Sequence, residues 1–313
     1  MNGPLELAKK RFAATKPGPR LLITGGVHGD EFEPMAAIRR LIKLFEQNQP
    51  PLQLLQGSLC LVPVVNESAF LHGNRTAEDM LDLARVCPGR QNGSVTERTA
   101  YALSQLIKAS DYYIDLHTGG TGLSVLPLVG YSLHRDRDVL QQQRNMARAF
   151  NLPIIWGTSA NLDGRSLSVA RDAGVPAIYA EYRGSAVCDP RGVEAYVTGC
   201  LNVMAMLGMI ERKLPASLVE HVIEDHRPGS GHMQVCNPSP MTGFFEPAVA
   251  LGESVQVNQL IGTVVDVLGT SSCEIRSQQA GIVLVLRTFS RVLEGESVGV
   301  VAELTSPSHE ESS

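Results

Sequence analysis

Short apolar runs alternate with helical patterns along the first two thirds of the chain, and this alternation limits the folds open to it. We predict strands at residues 20–24, 58–65, 112–116, 124–129, 153–156 and 176–180, and helices at 33–47, 94–107, 136–150 and 190–210. Apolar residues recur in the first helix at three- and four-residue steps, which is typical of a helix packed on a sheet. The sequence therefore predicts an α/β fold, with a mixed central sheet and helices on both faces.

A glycine-rich turn directly after the strand at 20–24 carries His28 and Glu31. An imidazole and a carboxylate three residues apart on such a turn can reach one divalent cation. A second apolar run, at 112–116, ends at His117 beside two glycines. Because ligands of such sheets bind beyond the carboxyl ends of the strands, we expect these three side chains to meet. Two nitrogen ligands and one oxygen ligand suit zinc.

The residue pattern alone leaves a second interpretation open for His28, Glu31 and His117. Histidines and a glutamate at strand ends can simply satisfy hydrogen bonds, and a histidine and a carboxylate this close in sequence are common by chance. From the pattern alone, the two interpretations have about equal support. Three protein ligands would leave a fourth position for water, which is how a catalytic zinc site is built.

The composition limits the kinds of molecule that the protein is expected to bind. The chain has 313 residues and a formal net charge of -5, without the basic stripe that nucleic-acid binding requires. Its six cysteines are widely scattered, which favours reduced thiols, and no stretch is apolar enough for a signal peptide or a membrane span. We therefore predict a cytoplasmic protein that acts on a small molecule and binds neither nucleic acid nor membrane. A homo-oligomer is compatible with the sequence.

The composition becomes polar between residues 211 and 240, and residues 228–231 have the character of a linker. We expect a catalytic domain at 1–228 and a smaller β domain at 229–313. Beyond the linker, short valine-rich runs alternate with glycine turns, and the segment that begins at Gly243 roughly repeats from Gly281. Two similar halves predict a small quasi-symmetric β sandwich.

This sandwich resembles the biotinyl and lipoyl carrier fold, a barrel-sandwich in which a modified lysine lies on the hairpin between the halves. The corresponding hairpin, at residues 267–276, contains no lysine, and no lysine follows Lys213. We therefore predict no covalently attached cofactor. The polar tail from Thr305 is predicted to be disordered.

Four motifs, taken in order, resemble the succinylglutamate desuccinylase and aspartoacylase family of the zinc carboxypeptidase clan. They are Gly-Gly-Val-His-Gly-Asp-Glu at 25–31, Leu-Asp-Leu-Ala-Arg-Val-Cys-Pro-Gly at 81–89, Asp-Leu-His-Thr-Gly-Gly at 115–120 and Ala-Glu-Tyr-Arg-Gly at 180–184. Gly-Phe-Phe-Glu-Pro at 243–247 looks like the start of the C-terminal β domain found in part of that family. The resemblance implies a zinc carboxypeptidase-like fold and one Zn²⁺ held by His28, Glu31 and His117.

The resemblance also implies roles for four further residues. Glu181 would be the general base, and Arg75 would stabilise the oxyanion. Arg85 and Arg171 would bind the acidic part of a substrate. By residue type alone, Glu181 could equally be an ion-paired surface carboxylate, and arginines on loops are mostly solvated. The sequence departs from the family at Ala84, where the pattern has an asparagine.

Three functions follow as hypotheses. The first is a zinc-dependent amidohydrolase that cleaves the acyl-amide bond of a small N-acyl amino acid or N-acyl amine. The second is a metallocarboxypeptidase that acts on short peptides, and the two differ in access, because a C-terminal domain that caps the site would exclude long peptides. The third is a metal-binding protein without turnover, which would require Glu181 to point away from the metal.

Overall fold

The computed structural model describes residues 5–47, 52–227, 230–231, 233 and 236–303. Up to residue 227, the strands are β1 (Lys10–Ala13), β2 (Arg20–Thr24), β3 (Ser58–Val62), β4 (Tyr112–His117), β5 (Leu123–Ser132), β6 (Ile154–Thr158), β7 (Ala177–Gly184) and β8 (His221–Glu224). The helices are α1 (Phe32–Gln47), α2 (Glu67–His72), α3 (Leu83–Val86), α4 (Val95–Lys108), α5 (Arg137–Phe150), α6 (Ser166–Ala173) and α7 (Pro190–Met206). The C-terminal strands are β9 (Gly243–Pro247), β10 (Ser254–Val255), β11 (Leu260–Val265), β12 (Ser272–Arg276), β13 (Gly281–Arg287), β14 (Arg291–Val292) and β15 (Gly299–Ala302).

The central sheet is mixed, as predicted. Strands β3, β2, β4 and β7 run parallel in that spatial order, while β1 is antiparallel to β3 and β5 is antiparallel to β7. The free side of β5 is shared, because β13 pairs with residues 123–125 and β6 pairs with residues 128–132. The carboxyl ends of β2, β4 and β7 therefore lie side by side at one edge of the sheet.

Helices cover both faces of this sheet, which confirms the predicted α/β class. Alternate residues of β2 enter opposite cores, because successive side chains of a strand point to opposite faces. Leu21 and Ile23 pack in the core that contains α1, α5 and α7, whereas Leu22 packs in the core that contains α4 and α6. Within the described residues, no helix has the length and apolar character needed to cross a bilayer.

Two predicted elements are shorter in the structure. The strand predicted at 58–65 ends at Val62, because Pro63 has no N–H to donate to a neighbouring strand. The helix predicted at 190–210 ends at Met206, and Gly208 follows it in the left-handed region at φ 69°. The long polar connection after β3 contains the short helices α2 and α3.

The C-terminal region is all β, but it is joined to the central sheet. A four-stranded sheet has the order β12-β11-β9-β14, whereas β13 pairs antiparallel with β5 and carries β10 and β15. The predicted repeat has a structural counterpart, since β9 pairs with β11 and β13 pairs with β15. The barrel-sandwich arrangement stays a prediction. Residues 228–229, at the predicted boundary, and the tail from Thr305 lie outside the described residues.

Candidate metal centre and active site

The structure brings the three predicted ligands together at the carboxyl ends of β2 and β4. His28 follows β2, Glu31 precedes α1, and His117 is the last residue of β4. Their ligand atoms all lie within 4.8 Å of one another. Gly29 makes this turn sterically feasible, because a Cβ there would lie 2.1 Å from the carbonyl oxygen of Ala69.

The Glu31 carboxylate bridges the two imidazole rings. Its Oε1 lies 2.7 Å from His28 Nδ1, and its Oε2 lies 3.0 Å from His117 Nδ1. His28 and Glu31 are almost fully buried. Both Nδ1 atoms therefore face one point, which they share with a carboxylate.

Each histidine also contacts a second carboxylate through its other ring nitrogen. His28 Nε2 lies 3.1 Å from Asp82 Oδ1, and His117 Nε2 lies 3.1 Å from Asp115 Oδ2. Asp115 is fully buried and also accepts hydrogen bonds from the hydroxyls of Thr24 and Ser166. Carboxylates in this position orient metal-binding histidines and fix their tautomer.

The electrostatics of this cluster fit a bound cation. Burial and the charge of Arg75 oppose protonation of His28, but Glu31 and Asp82 outweigh both and raise its pKa. Burial likewise opposes protonation of His117, and Asp115 and Glu31 raise its pKa well above the ordinary value. Buried carboxylates therefore surround two imidazoles whose Nδ1 atoms face Glu31. A divalent cation between these nitrogens and Glu31 would balance the same negative charge, so the donor set fits such an ion.

Glu181 lies beside this cluster. In the pairing of β4 with β7, Glu181 is the partner of His117. Its side chain is 5% exposed, and its Oε2 has no hydrogen-bond partner among the residues that the structure describes. Burial raises its pKa, against the opposing influence of His117. The position thus holds a buried carboxylate with one oxygen available to a ligand.

Arg75 is anchored next to His28. Its Nε and Nη2 each lie 3.0 Å from Asp82 Oδ2, and its Nη1 lies 3.4 Å from His28 Nδ1. Asp82 therefore holds both a predicted metal ligand and a guanidinium group. This arrangement fixes a cation at the edge of the cluster, where it can face a bound substrate.

Two open spaces meet at the cluster, and both are lined by His28, Arg75, His117, Glu181 and Met233. The first, which we call the inner cavity, encloses about 590 Å³ of space between atoms, part of which is open to solvent. Its other lining residues include Ala84, Arg85, Ser132, Thr158, Arg165 and Tyr179. The second, which we call the outer cleft, is also lined by Asp30, Gly120, Leu123, Arg287, Phe289 and Glu296.

The predicted substrate arginines have different positions. Arg85 lines the inner cavity beside Ala84, and its Nη1 donates to the Ala84 carbonyl at 2.6 Å. Arg171 lines neither space. Its guanidinium pairs with Asp163 at 2.7 Å and with Asp172 at 2.8 Å. The structure therefore does not bring Arg171 to the cluster, because two aspartates hold it elsewhere.

Sequence reasoning assigned no role to four residues at this site, namely Asp82, Asp115, Arg165 and Tyr179. A signal existed for Asp115 and Tyr179, because each stands two residues before a predicted site residue on the same strand and therefore faces the same side. Asp82 is 54 residues from its partner His28, so local spacing carries no signal for it. Arg165 immediately precedes α6 and lines the inner cavity.

The chain is similar to known proteins in both sequence and fold. The succinylglutamate desuccinylase/aspartoacylase catalytic-domain model matches residues 17–207. The N-alpha-acetyl-L-2,4-diaminobutyric acid deacetylase of Halomonas elongata is 30% identical over 293 residues, covering 92% of this chain and 83% of that protein. The product-bound ectoine utilization protein EutE (DoeB) from Ruegeria pomeroyi has a TM-score of 0.83 at 25% identity, covering 94% of this chain and 88% of that one. A succinylglutamate desuccinylase/aspartoacylase structure from Rhodobacter sphaeroides has a TM-score of 0.81 at 27% identity, covering 93% and 87%.

The chain belongs to the succinylglutamate desuccinylase/aspartoacylase family. The range that matches the family's catalytic domain contains His28, Glu31, His117 and Glu181. The C-terminal residues that line the outer cleft, among them Arg287, Phe289 and Glu296, lie beyond that range. In this member of the family, the surroundings of the cluster are therefore built from the catalytic domain and from the C-terminal β region.

Proposed function

We propose that this protein is a zinc-dependent amidohydrolase that removes the acyl group from a small N-acyl amino acid. The observation that carries the proposal is Glu181, directly beside the His28, Glu31 and His117 cluster. It is a buried carboxylate, and one of its oxygens has no hydrogen-bond partner in the part of the chain that the structure describes. A structural carboxylate would be expected to have both oxygens hydrogen-bonded. Membership of a family whose named relatives include a deacetylase adds support.

The proposed mechanism assigns one task to each side chain. Zinc held by His28, Glu31 and His117 would supply Lewis-acid polarisation of the amide carbonyl. Glu181 accepts a proton from the attacking water and later donates it to the departing amine. Arg75, fixed by Asp82, donates hydrogen bonds to the oxygen on which negative charge develops.

The charge of the inner cavity supports an anionic group on the substrate. Arg85 and Arg165 both line this cavity, and guanidinium groups bind carboxylates through charge-assisted hydrogen bonds. A carboxylate on the amine half of the substrate would enter here, while the amide bond lies at the cluster. The Halomonas elongata relative is named for an N-acetylated amino acid, which also carries a carboxylate. We therefore propose deacetylation of a short N-acetyl amino acid, and an N-acyl diamine remains the second substrate class to test.

The outer cleft and the position of Glu181 bear on the two other hypotheses, a carboxypeptidase and a metal-binding protein without turnover. One side of this cleft is lined by the C-terminal residues Arg287, Phe289 and Glu296. This supports a small substrate over the peptide substrate of a carboxypeptidase. A metal-binding protein without turnover would need Glu181 to face away from the cluster. Glu181 instead lines both spaces that meet there, which supports catalysis.

Metal analysis followed by a substrate screen tests the proposal. We expect the purified protein to contain one zinc ion per chain and to release amine from N-acetyl amino acids faster than from N-acetyl diamines or dipeptides. Screening N-succinyl and N-formyl analogues in parallel identifies the acyl group. Zinc content without any amine release would favour the non-catalytic hypothesis, and faster cleavage of dipeptides would favour the carboxypeptidase.

The two arginines near α6 provide a matched pair of variants. We expect Arg165→Gln to raise KM for an N-acetyl amino acid by about ten- to a hundredfold, the effect of losing a hydrogen bond between charged groups. Arg171→Gln removes the same charge from a side chain paired with Asp163 and Asp172, so KM should change less than about twofold. Steady-state kinetics with both variants checks this, and equal effects would remove Arg165 from the substrate site.

A further variant tests the position at which the chain departs from the family pattern. Ala84 lines the inner cavity next to Arg85 and offers no side-chain hydrogen bond. We expect Ala84→Asn to raise the preference for substrates with a free carboxylate, by about two- to tenfold for one added neutral hydrogen bond. The measurement is the ratio of kcat/KM for N-acetyl amino acids and for their amides. An unchanged ratio would mean that residue 84 does not contact the substrate.

A further inference from the structure

Tyr179 occupies a position that is shaped around its ring. It lies on β7 two residues before Glu181, so both side chains face the same side of the strand. Its partner on β5 is Gly130, and a Cβ at that glycine would lie 2.2 Å from the Tyr179 ring and 2.4 Å from its hydroxyl oxygen. The ring therefore lies across β5, and only glycine at position 130 leaves room for it.

Tyr179 brings a hydroxyl, which can donate a hydrogen bond, to the lining of the inner cavity. The residue lines that space together with Arg165 and Glu181. Tyr179 is partly buried, and a tyrosine in such a position usually has a hydrogen-bond partner for its hydroxyl. Burial, reinforced by the charge of Glu181, raises the pKa of Tyr179, while Arg165 acts in the opposite direction. The hydroxyl thus stays protonated at any pH at which the protein would work.

The distance along β7 shows which part of a substrate this donor can reach. Two residues of a strand span about 6.6 Å, so Tyr179 lies deeper in the sheet than Glu181 by roughly that length. The reacting amide belongs at the cluster, next to Glu181 and Arg75. A donor set back by this distance meets the remote end of the amine half, where Arg165 also lies.

We propose that the Tyr179 hydroxyl donates a hydrogen bond to the carboxylate on the amine half of the substrate, beside Arg165, and so selects substrates that carry this group. The inference rests on the proposed function and assigns the inner cavity as the carboxylate subsite. A phenol and a guanidinium together offer donors from two directions to one carboxylate. Tyr179 is therefore a specificity-determining residue, separate from the groups that act on the amide.

Binding in a slowed enzyme tests this directly. In zinc-loaded protein carrying Glu181→Gln, calorimetry measures Kd for an N-acetyl amino acid before and after Tyr179→Phe. We expect Kd to rise about tenfold or more, since the lost hydrogen bond is to a charged group. The matched control is Tyr182→Phe, on the opposite face of the same strand against Tyr196, which should leave Kd unchanged. Equal zinc content and equal Tm establish that all variants are folded.

Turnover distinguishes this inference from the proposed function. With Glu181 intact, Tyr179→Phe should lower kcat/KM through KM for the amino acid substrate, and by less than about twofold for the analogue with hydrogen in place of the carboxylate. Equal losses for both substrates, or no loss for either, would overturn the role of Tyr179. Carboxylate-dependent binding without amine release by the unmutated protein would overturn the proposed hydrolase and leave the subsite standing.

Discussion

Replacing Glu181 with glutamine is expected to lower kcat by at least about a hundredfold while zinc content and fold are retained. Glutamine has nearly the same shape but cannot accept a proton from water, and removal of a positioned general base typically costs this much. The carboxylate is buried, and its Oε2 lacks a partner in the described part of the chain, so the substitution breaks no hydrogen bond made by that oxygen. Steady-state kinetics, metal analysis and thermal unfolding measured on one preparation check the three parts of this result.

An inactive variant could also result from loss of metal, and the metal analysis excludes that explanation. Glu181→Asp is the useful companion, because it keeps the carboxylate and withdraws it by one methylene. Its activity should fall between that of the glutamine variant and that of the unmutated protein. Turnover within about threefold of normal in Glu181→Gln would place the general base on another residue.

Replacing His117 with alanine is expected to abolish stoichiometric zinc binding. His117 supplies one of three protein ligands, and its loss also leaves the buried Asp115 without its imidazole partner. Tm should fall as well, because an uncompensated buried carboxylate destabilises the folded state by several kcal/mol. Metal analysis after dialysis against a weak chelator measures the first effect, and calorimetry measures the second.

His134 provides the control for this variant. It lies outside the cluster and contacts backbone atoms of Asp136 and Arg171. His134→Ala should therefore retain one zinc ion per chain. Full zinc content in His117→Ala would mean that the cluster is not the zinc site, however closely its atoms approach one another.

The site's central residues were predictable from the sequence because their positions follow from strand ends. His28 and His117 each come where an apolar run stops, and parallel strands deliver such residues to one edge of a sheet. Glu181 follows the same rule on β7. What the sequence could not provide is the pairing of Asp82 with His28, since the two residues are 54 positions apart and local spacing does not specify their approach.

The assignment of Arg171 shows a different limit. The resemblance to the family suggested it, but α6 begins between Arg165 and Arg171. Over six residues of a helix, the side-chain direction rotates by about 600°, which is one full turn and about 240° more. Two arginines at this separation therefore point in different directions. Arg165 reaches the inner cavity, whereas Arg171 meets Asp163 and Asp172. Local spacing cannot decide between them without the position of the helix.

The C-terminal region shows that local structure can be predicted from the sequence whereas long-range strand pairing cannot. Its valine-rich runs and glycine turns predicted β structure correctly, because these signals are local. The pairing of β13 with β5 depends on residues about 160 positions apart, such as Val285 and Val125. No periodicity in either segment specifies that partner, so the sequence could not predict that the C-terminal strands join the central sheet.

Because β13 pairs with β5, the outer cleft is completed only late in the synthesis of the chain. A ribosome releases the chain from its N-terminus, so His28, Glu31 and His117 emerge long before Arg287 and Glu296. The residues that could hold a metal are thus outside the ribosome while one wall of the outer cleft is still unmade. The finished cleft, and with it any selection by size, arises only when the last strands reach β5.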